Sequence, residues 1–298
     1  MKGEGPDVNQ MQDFRDLTPP ELQTTQKPYD KRRLSYATTF TNPFKANTIR
    51  TVEWITAKIP LLRLIRRFES QGTPFGREFW PQALRVMGID VQTPAEQIAR
   101  IPKTGPLIVV ANHPHGLVDG MVLAYLIGKV RDDYRILTRS LLTGVPEIEK
   151  YMLPVPFPHE ENAREDSLKM RADAMAVLKQ GGCIVLFPAG AVAHSHSWFG
   201  PVIEDEWNPF TAKMVSRSGA QVLPVHFRSH NTRLYQIVSQ FSATLRQSLL
   251  LYEIRKALNK PQKPVIGHAK HPDEMREALK NPRQWLADLR EETLSLKD

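Results

Sequence analysis

The chain predicts an α/β fold: a mostly parallel central sheet flanked by helices, preceded by an N-terminal amphipathic helical hairpin suited to a membrane surface. Three observations predict it. Apolar, β-branched runs at Ile108-Val109-Val110-Ala111, Ile184-Val185-Leu186-Phe187 and Gln221-Val222-Leu223-Pro224-Val225 read as buried strands. Helical patterns alternate with these runs, which points to strands layered with helices. Ahead of them, a basic stretch from Ile49 to Phe68 carries apolar residues at helical spacing.

Taken in order, residues 1–45 form a polar arm with Pro6, Pro19, Pro20, Pro28 and Pro43, and with Lys31-Arg32-Arg33 adding charge. Such a segment reads as extended or poorly ordered. Residues 46–85 form an amphipathic helical, membrane-associating segment. Val52, Ile55 and Ile59 lie on one helical stripe, Pro60 breaks or kinks it, and Leu61, Leu64, Ile65 and Phe68 resume it. Arg50, Lys58, Arg63, Arg66 and Arg67 outnumber Glu53 and Glu69, and Trp54 is an aromatic suited to a membrane interface. Trp54, Lys58, Arg63, Arg66 and Arg67 are therefore the candidate membrane-binding residues. The segment either lies in a bilayer surface or packs on the core with a solvated basic face, and both hold if only part of the apolar stripe docks on the protein.

Residues 86–298 form the α/β domain. A helix over Phe75–Met87 leads to a short strand at Ile89–Val91. The first central strand is Leu107–Ala111, with its helix over Gly120–Lys129. Tyr134–Thr138 is the next strand and ends at Arg139. A short helix (Val145–Lys150) and a strand (Met152–Val155) come next. Ser167–Gln180 is a helix with Met170, Ala174, Val177 and Leu178 inward, stopped by Gly181-Gly182. Cys183–Phe187 is a strand, Asn208–Gly219 a helix and Leu223–Phe227 a strand. Ser242–Leu258 reads as one helix, either core or a wall of an acyl groove. Val265-Ile266-Gly267 is a last strand, and Met275–Leu279 and Trp285–Leu296 are closing helices.

At 298 residues, with 41% hydrophobic and 24% charged residues, the composition is that of a globular protein with a full core. One cysteine excludes an internal disulfide framework. No stretch approaches twenty uninterrupted apolar residues, so no spanning helix is expected. Nor does the N-terminus resemble a secretory signal. The net charge of +8 suits a partner with a negative surface, an anionic membrane or nucleic acid. No zinc-finger spacing, aromatic RNA-binding strand or basic helical array is present, so nucleic acid is not assigned.

The chemistry concentrates in Asn112-His113-Pro114-His115-Gly116-Leu117-Val118-Asp119. Two histidines sit at a strand end with a carboxylate just beyond, where a helix begins. Ligands of open α/β sheets bind at the carboxyl ends of strands. A carboxylate beside a histidine fixes its tautomer and stabilises the imidazolium, which is how a general base is made. A second strand ends in Phe187-Pro188-Ala189-Gly190, and a third carries Pro224. His194, His196, His226 and His230 invite a zinc site, but no cysteine or carboxylate stands at ligand spacing, so no metal is assigned.

This ordered set, Asn-His with a downstream Asp, then Phe-Pro-x-Gly, then Leu-Pro-Val, resembles that of the glycerolipid acyltransferases, over roughly Ile49 to the C-terminus. Asn-His-Pro-x-Gly-x-x-Asp-Gly with Phe-Pro-Ala-Gly resembles the hemolysin-like branch, which includes O-acyltransferases of ornithine-type aminolipids. The common motif separates His and Asp by four residues; here five lie between His113 and Asp119 and three between His115 and Asp119. The branch spacing favours His113 as the base, with His115 as its neighbour. The family's acidic residue in Phe-Pro-Glu-Gly is Ala189 here. No clear acceptor-phosphate arginine follows Val155-Pro156-Phe157-Pro158-His159, although Arg164 lies a few residues on. These departures turn the reading from a phosphate-bearing acceptor toward an aminolipid. Arg139 falls where the family tends to keep a basic residue and either holds a substrate phosphate or makes a surface ion pair.

The resemblance implies a fatty acyl transfer from an acyl carrier protein thioester or acyl-CoA to the hydroxyl of a lysolipid, with no further cofactor. His113 would take the hydroxyl proton, Asp119 would orient it, and amides around Phe187–Gly190 would face the thioester oxygen. Asn112, His115, Gly116, Arg139, Arg164, Phe187, Pro188, Ala189, Gly190 and Pro224 are the candidate substrate-binding residues. The alternatives are a lysophosphatidate acyltransferase and a non-catalytic lipid-binding protein. The expected location is peripheral, at the cytoplasmic face of the inner membrane.

Overall fold

The computed structural model describes residues 29–30, 34–39, 42–138, 142, 144–156 and 162–297. The chain enters through α1 (Pro43–Glu53), a π turn (Trp54–Lys58) and α2 (Ile59–Ser70), then α3 (Phe79–Val86) and a short α4 (Ala95–Ile98). Strand β1 (Leu107–Ala111), α5 (Leu117–Gly128), β2 (Tyr134–Thr138), β3 (Met152–Pro154), α6 (Ala163–Lys179) and β4 (Cys183–Leu186) follow. A ribbon of β5 (His194–Ser195) and β6 (Val202–Ile203) precedes α7 (Pro209–Ser218) and β7 (Gln221–His226). The chain closes with α8 (Arg233–Ser239), α9 (Ala243–Ser248), α10 (Leu250–Ala257), β8 (Val265–Ile266), α11 (Pro272–Met275) and α12 (Pro282–Ser295).

The main sheet runs β3-β2-β4-β1-β7-β8, with only β8 antiparallel. Strand β1 lies inside it, and all of its residues are fully buried, as a strand covered on both faces requires. Side-chain alternation divides the core in two. Leu107, Val109 and Ala111 pack on the side of α3, α5 and α10, while Ile108 and Val110 pack on the side of α6, α7 and α12. Helix α5 leads from β1 to β2 on one side, whereas α7 leads across to β7 on the other. The carboxyl end of β1 is therefore the place where connections diverge and a crevice opens.

The expected α/β architecture is found, and so are the expected strands from Leu107 onward. Three helical expectations need correction, one of them Met275–Leu279, where a helix ends at Met275 and a 3-10 turn forms at Ala278–Lys280. Of the break or kink expected at Pro60, the break is not found: residues 43–70 are one helical run with a π turn just before the proline, and the reversal falls in the following turn, before α3. Proline removes the N–H that the Thr56 carbonyl would accept. The π turn absorbs the mismatch, and the Arg255 guanidinium donates to Thr56 O at 2.5 Å instead. The Ser242–Leu258 helix is two helices. The Ser248 hydroxyl donates to Leu245 O at 2.6 Å, displacing the Leu249 N–H onto Arg246 O and tightening the turn between α9 and α10. The strand expected at Ile89–Val91 reduces to a single bridge between Val91 and Gln262.

The N-terminal helices share the main core. Ile49, Ala57 and Leu61 are buried in it, and Trp80 Nε1 donates to Tyr134 OH at 2.7 Å. Glu53 is fully buried and accepts from Ser35 Oγ and Tyr36 N, so it is not part of the helix's solvated face. Leu61, Leu64, Ile65 and Phe68 turn toward the protein, while Phe44, Trp54, Ile55 and Ile59 are exposed. Arg63, Arg66 and Arg67 are exposed on the same run, and Lys58 is half-buried. Among the described residues, no helix is long and apolar enough to cross a membrane.

Candidate active site

The turn after β1 is built around one buried carboxylate. Gly116 adopts φ 79°, which a side chain would strain, and lets the chain enter α5 with Asp119 in its first turn. Asp119 Oδ2 then accepts from His115 N at 2.8 Å and Gly116 N at 3.2 Å. Its oxygens also meet both imidazoles: Oδ2 lies 3.1 Å from His113 Nδ1, and Oδ1 lies 2.9 Å from His115 Nδ1. Burial alone would raise the Asp119 pKa, but the two histidines outweigh it and hold the carboxyl below the usual range. A carboxylate facing both Nδ1 atoms sets their tautomer, with Nδ1 as donor and Nε2 left as the basic nitrogen.

The histidines are not equivalent. His113 lines a cavity of about 620 Å³ at the carboxyl end of the sheet; His115 is buried behind it and does not. The ring of Phe187 stacks on His113 with centroids 3.8 Å apart. Gly116, Pro188 and Gly190 join the wall, and Leu250 with Arg246 from the α9–α10 pair forms another side. Arg164, Arg171 and Arg246 all line this cavity, and no carboxylate does among the described residues. Cys183, sealed inside β4, has its thiol pushed up to about 12 by burial and offers no nucleophile. A part-buried histidine, backed by a buried carboxylate and lining a cavity with three arginines, is equipped for proton transfer.

Residues 59–269 match the acyltransferase family, well over half of the chain. The chain belongs to the acyltransferase family. Two curated relatives carry the name lyso-glycine lipid O-acyltransferase. The protein from Phocaeicola vulgatus is 24% identical over 66% of this chain and 70% of its own length. That from Bacteroides thetaiotaomicron is 28% identical over 49% of this chain and 52% of its own length. A crystal structure of the 1-acyl-sn-glycerophosphate (LPA) acyltransferase PlsC from Thermotoga maritima aligns with a TM-score of 0.43 at 15% identity, covering 88% of this chain and 87% of the other. The family expected from the Asn-His-Pro and Phe-Pro motifs is the one found.

In this acyltransferase the sequence-assigned residues divide. His113, Gly116, Arg164, Phe187, Pro188 and Gly190 meet at the cavity with Asp119 behind them. Asn112 does not: its amide is spent on Phe227, donating to O at 2.8 Å and accepting from N at 2.7 Å, which stitches the ends of β1 and β7. Pro224 sits within β7 opposite Val110, packed on Gly267. Its carbonyl accepts from Gly267 N at 2.9 Å, so its missing N–H faces β8 and costs no bond to β1. Ala189 and His115 are also outside the cavity wall. Gly190 N closes the turn onto Phe187 O at 3.0 Å and is not available to a substrate oxygen. Arg139 lies outside the described residues, as does the 157–161 stretch.

Three participants escaped the sequence reading. Arg171 follows Arg164 by seven residues, two turns along one face of α6, a spacing that could have been noticed. Arg246 reaches the cavity from α9, far along the chain from His113. Glu204 is buried, accepts from His113 N at 3.2 Å and faces Trp207 Nε1 at 3.3 Å. Burial pushes its carboxyl up to about 7. The β5–β6 ribbon also holds the other side of His113, through Ala193 N to His113 O at 2.8 Å. The histidine loop needs correction too. A carboxylate does meet it: one atom each of His194, His196 and Asp205 lie within 4.8 Å of one another.

Proposed function

We propose that this acyltransferase moves a fatty acyl group from an acyl thioester to the hydroxyl of a lysolipid, and that the acceptor is a lyso-aminolipid. The single observation that carries the reaction is His113 in the arginine-lined cavity with the buried Asp119 behind it. His113 Nε2 takes the hydroxyl proton as the acceptor oxygen attacks the thioester carbonyl carbon. The C–S bond then breaks, the ester remains on the acceptor, and the departing thiolate receives the proton from the imidazolium. Asp119 stabilises that imidazolium, and general-base help of this kind contributes about 10²–10⁴-fold. The Ala191 amide, beside the Gly190 turn in the cavity wall, is the favoured donor to the carbonyl oxygen.

Arg164, Arg171 and Arg246 supply cations for the phosphates of an acyl carrier protein or CoA thioester, and for the carboxylate that an N-acylated amino acid retains. An apolar cavity of about 660 Å³ between α2, α3 and α5 shares Leu117 and Leu142 with the first and suits a fatty chain. Exposed Phe44, Trp54, Ile55 and Ile59, with Arg63, Arg66 and Arg67, favour a peripheral seat on an anionic membrane, at the cytoplasmic face of the inner membrane. The name of the two curated relatives supports the aminolipid acceptor. The arginine cluster favours one second reading, lysophosphatidate as acceptor.

Purified protein supplied with an acyl thioester and either a lyso-glycine lipid or lysophosphatidate tests the choice. Acylation of the amino-acid lipid alone supports the proposal, and acylation of lysophosphatidate alone replaces it with the second reading. Turnover unaffected by His113→Ala would remove the catalytic assignment altogether.

A further inference from the structure

The β5–β6 ribbon carries a cluster that acyl transfer does not use. Alternation along β5 and its continuation sends His194 and His196 to one face and the fully buried Ser195 to the other. The register pairs His194 with Ile203, so Asp205, two residues on, falls on the histidines' face. His196 Nε2 and Asp205 Oδ1 are 3.6 Å apart, beyond a good hydrogen bond. Ligand atoms around a tetrahedral zinc, at about 2.0–2.1 Å from the metal, stand roughly 3.3 Å apart. His194 Nδ1 is buried and makes no hydrogen bond of good geometry among the described residues, although the ring lies beside the Val192 backbone. His226 and His230 are not part of the trio; they bond the backbone at Leu296 and Asn231.

We propose that His194, His196 and Asp205 bind a divalent transition-metal ion of the zinc class. Two imidazoles and one carboxylate make a mixed nitrogen–oxygen set that suits zinc and disfavours calcium or magnesium, which select oxygen. The ligands adjoin the two groups that hold the catalytic loop: Ala193, bonded to His113 O, precedes His194, and Glu204, bonded to His113 N, precedes Asp205. A metal bridging the ribbon therefore fixes both contacts at once. Its role is to position the backbone of His113, outside the acyl-transfer chemistry itself.

The test uses tag-free, full-length protein stripped with a chelator and titrated with Zn²⁺, and separately with Co²⁺. One saturable equivalent is expected, with an intense visible Co²⁺ spectrum typical of four-coordinate nitrogen–oxygen sites, and a higher Tm on Zn²⁺ addition. His196→Ala and Asp205→Asn, both at partly exposed positions, should each weaken binding at least tenfold and abolish the Tm shift. Stoichiometric binding that persists unchanged in both variants, or no saturable binding by the wild type, overturns the proposal. Wild-type titration alone decides the matter if either variant misfolds.

Discussion

The ring of Phe187 lies on the imidazole of His113, with centroids 3.8 Å apart and planes 21° apart. The aromatic that follows β4 thus sets the plane of the imidazole that follows β1, while Asp119 sets its rotation through Nδ1. Aromatic contacts of this kind are worth about 0.5–1.5 kcal/mol, or roughly 2- to 10-fold in rate. Phe187→Leu should lower kcat by that factor with Tm nearly unchanged. Unchanged kcat would show that Asp119 alone orients the ring.

His113→Ala should lower kcat by about 10²–10⁴-fold, since it removes the nitrogen that faces the cavity. His115→Ala should keep kcat within about tenfold yet destabilise the protein. It strips a partner from the fully buried Asp119, at a cost of about 1–3 kcal/mol. Steady-state kinetics and thermal melts on both variants separate the roles. Comparable kinetic losses in the two would refute the assignment of His113 as the sole base.

Asp119 has a depressed pKa in the folded state because the histidines outweigh its burial. Such a group stabilises the fold above the unfolded carboxylate value of about 4 and loses that contribution as pH falls through the lower, folded value. Urea midpoints followed below about pH 4 should therefore fall more steeply for the wild type than for Asp119→Asn, which cannot titrate. Parallel profiles would contradict the linkage.

Cys183 is fully buried with its thiol raised to about 12. A maleimide at pH 8 should leave native protein unlabelled and fully active, and should label it stoichiometrically in urea. Rapid native labelling accompanied by loss of activity would reopen a cysteine nucleophile.

Arg63, Arg66 and Arg67 face outward beyond the exposed Trp54 and Ile55. Each basic residue near an anionic surface is worth about 1 kcal/mol, or roughly fivefold in partition. Changing all three to Gln should weaken sedimentation with anionic vesicles by about 100-fold at low salt, with little effect on neutral vesicles. Equal binding of the variant and the wild type to anionic vesicles would place the membrane contact elsewhere.

Local pattern alone determined much of this protein. Val109 and Ile184 announce buried parallel strands because a strand covered on both faces must be apolar throughout. The Asn112–Asp119 stretch announces the His–Asp turn because His, Gly and Asp are packed within eight residues. Those residues alone could not tell His113 from His115, since both reach the same carboxylate; the resemblance in spacing favoured His113, and the cavity wall separates the two. Nor could they reveal that Asn112 is consumed by Phe227, or that Glu204 and Arg246 converge on the site from far along the chain. Leu61 and Trp54 sit on the same basic helix, yet one is core and the other surface. Sequence periodicity gives a helix its faces, but only packing against α3 and α10 decides which face meets protein and which is left for solvent or lipid.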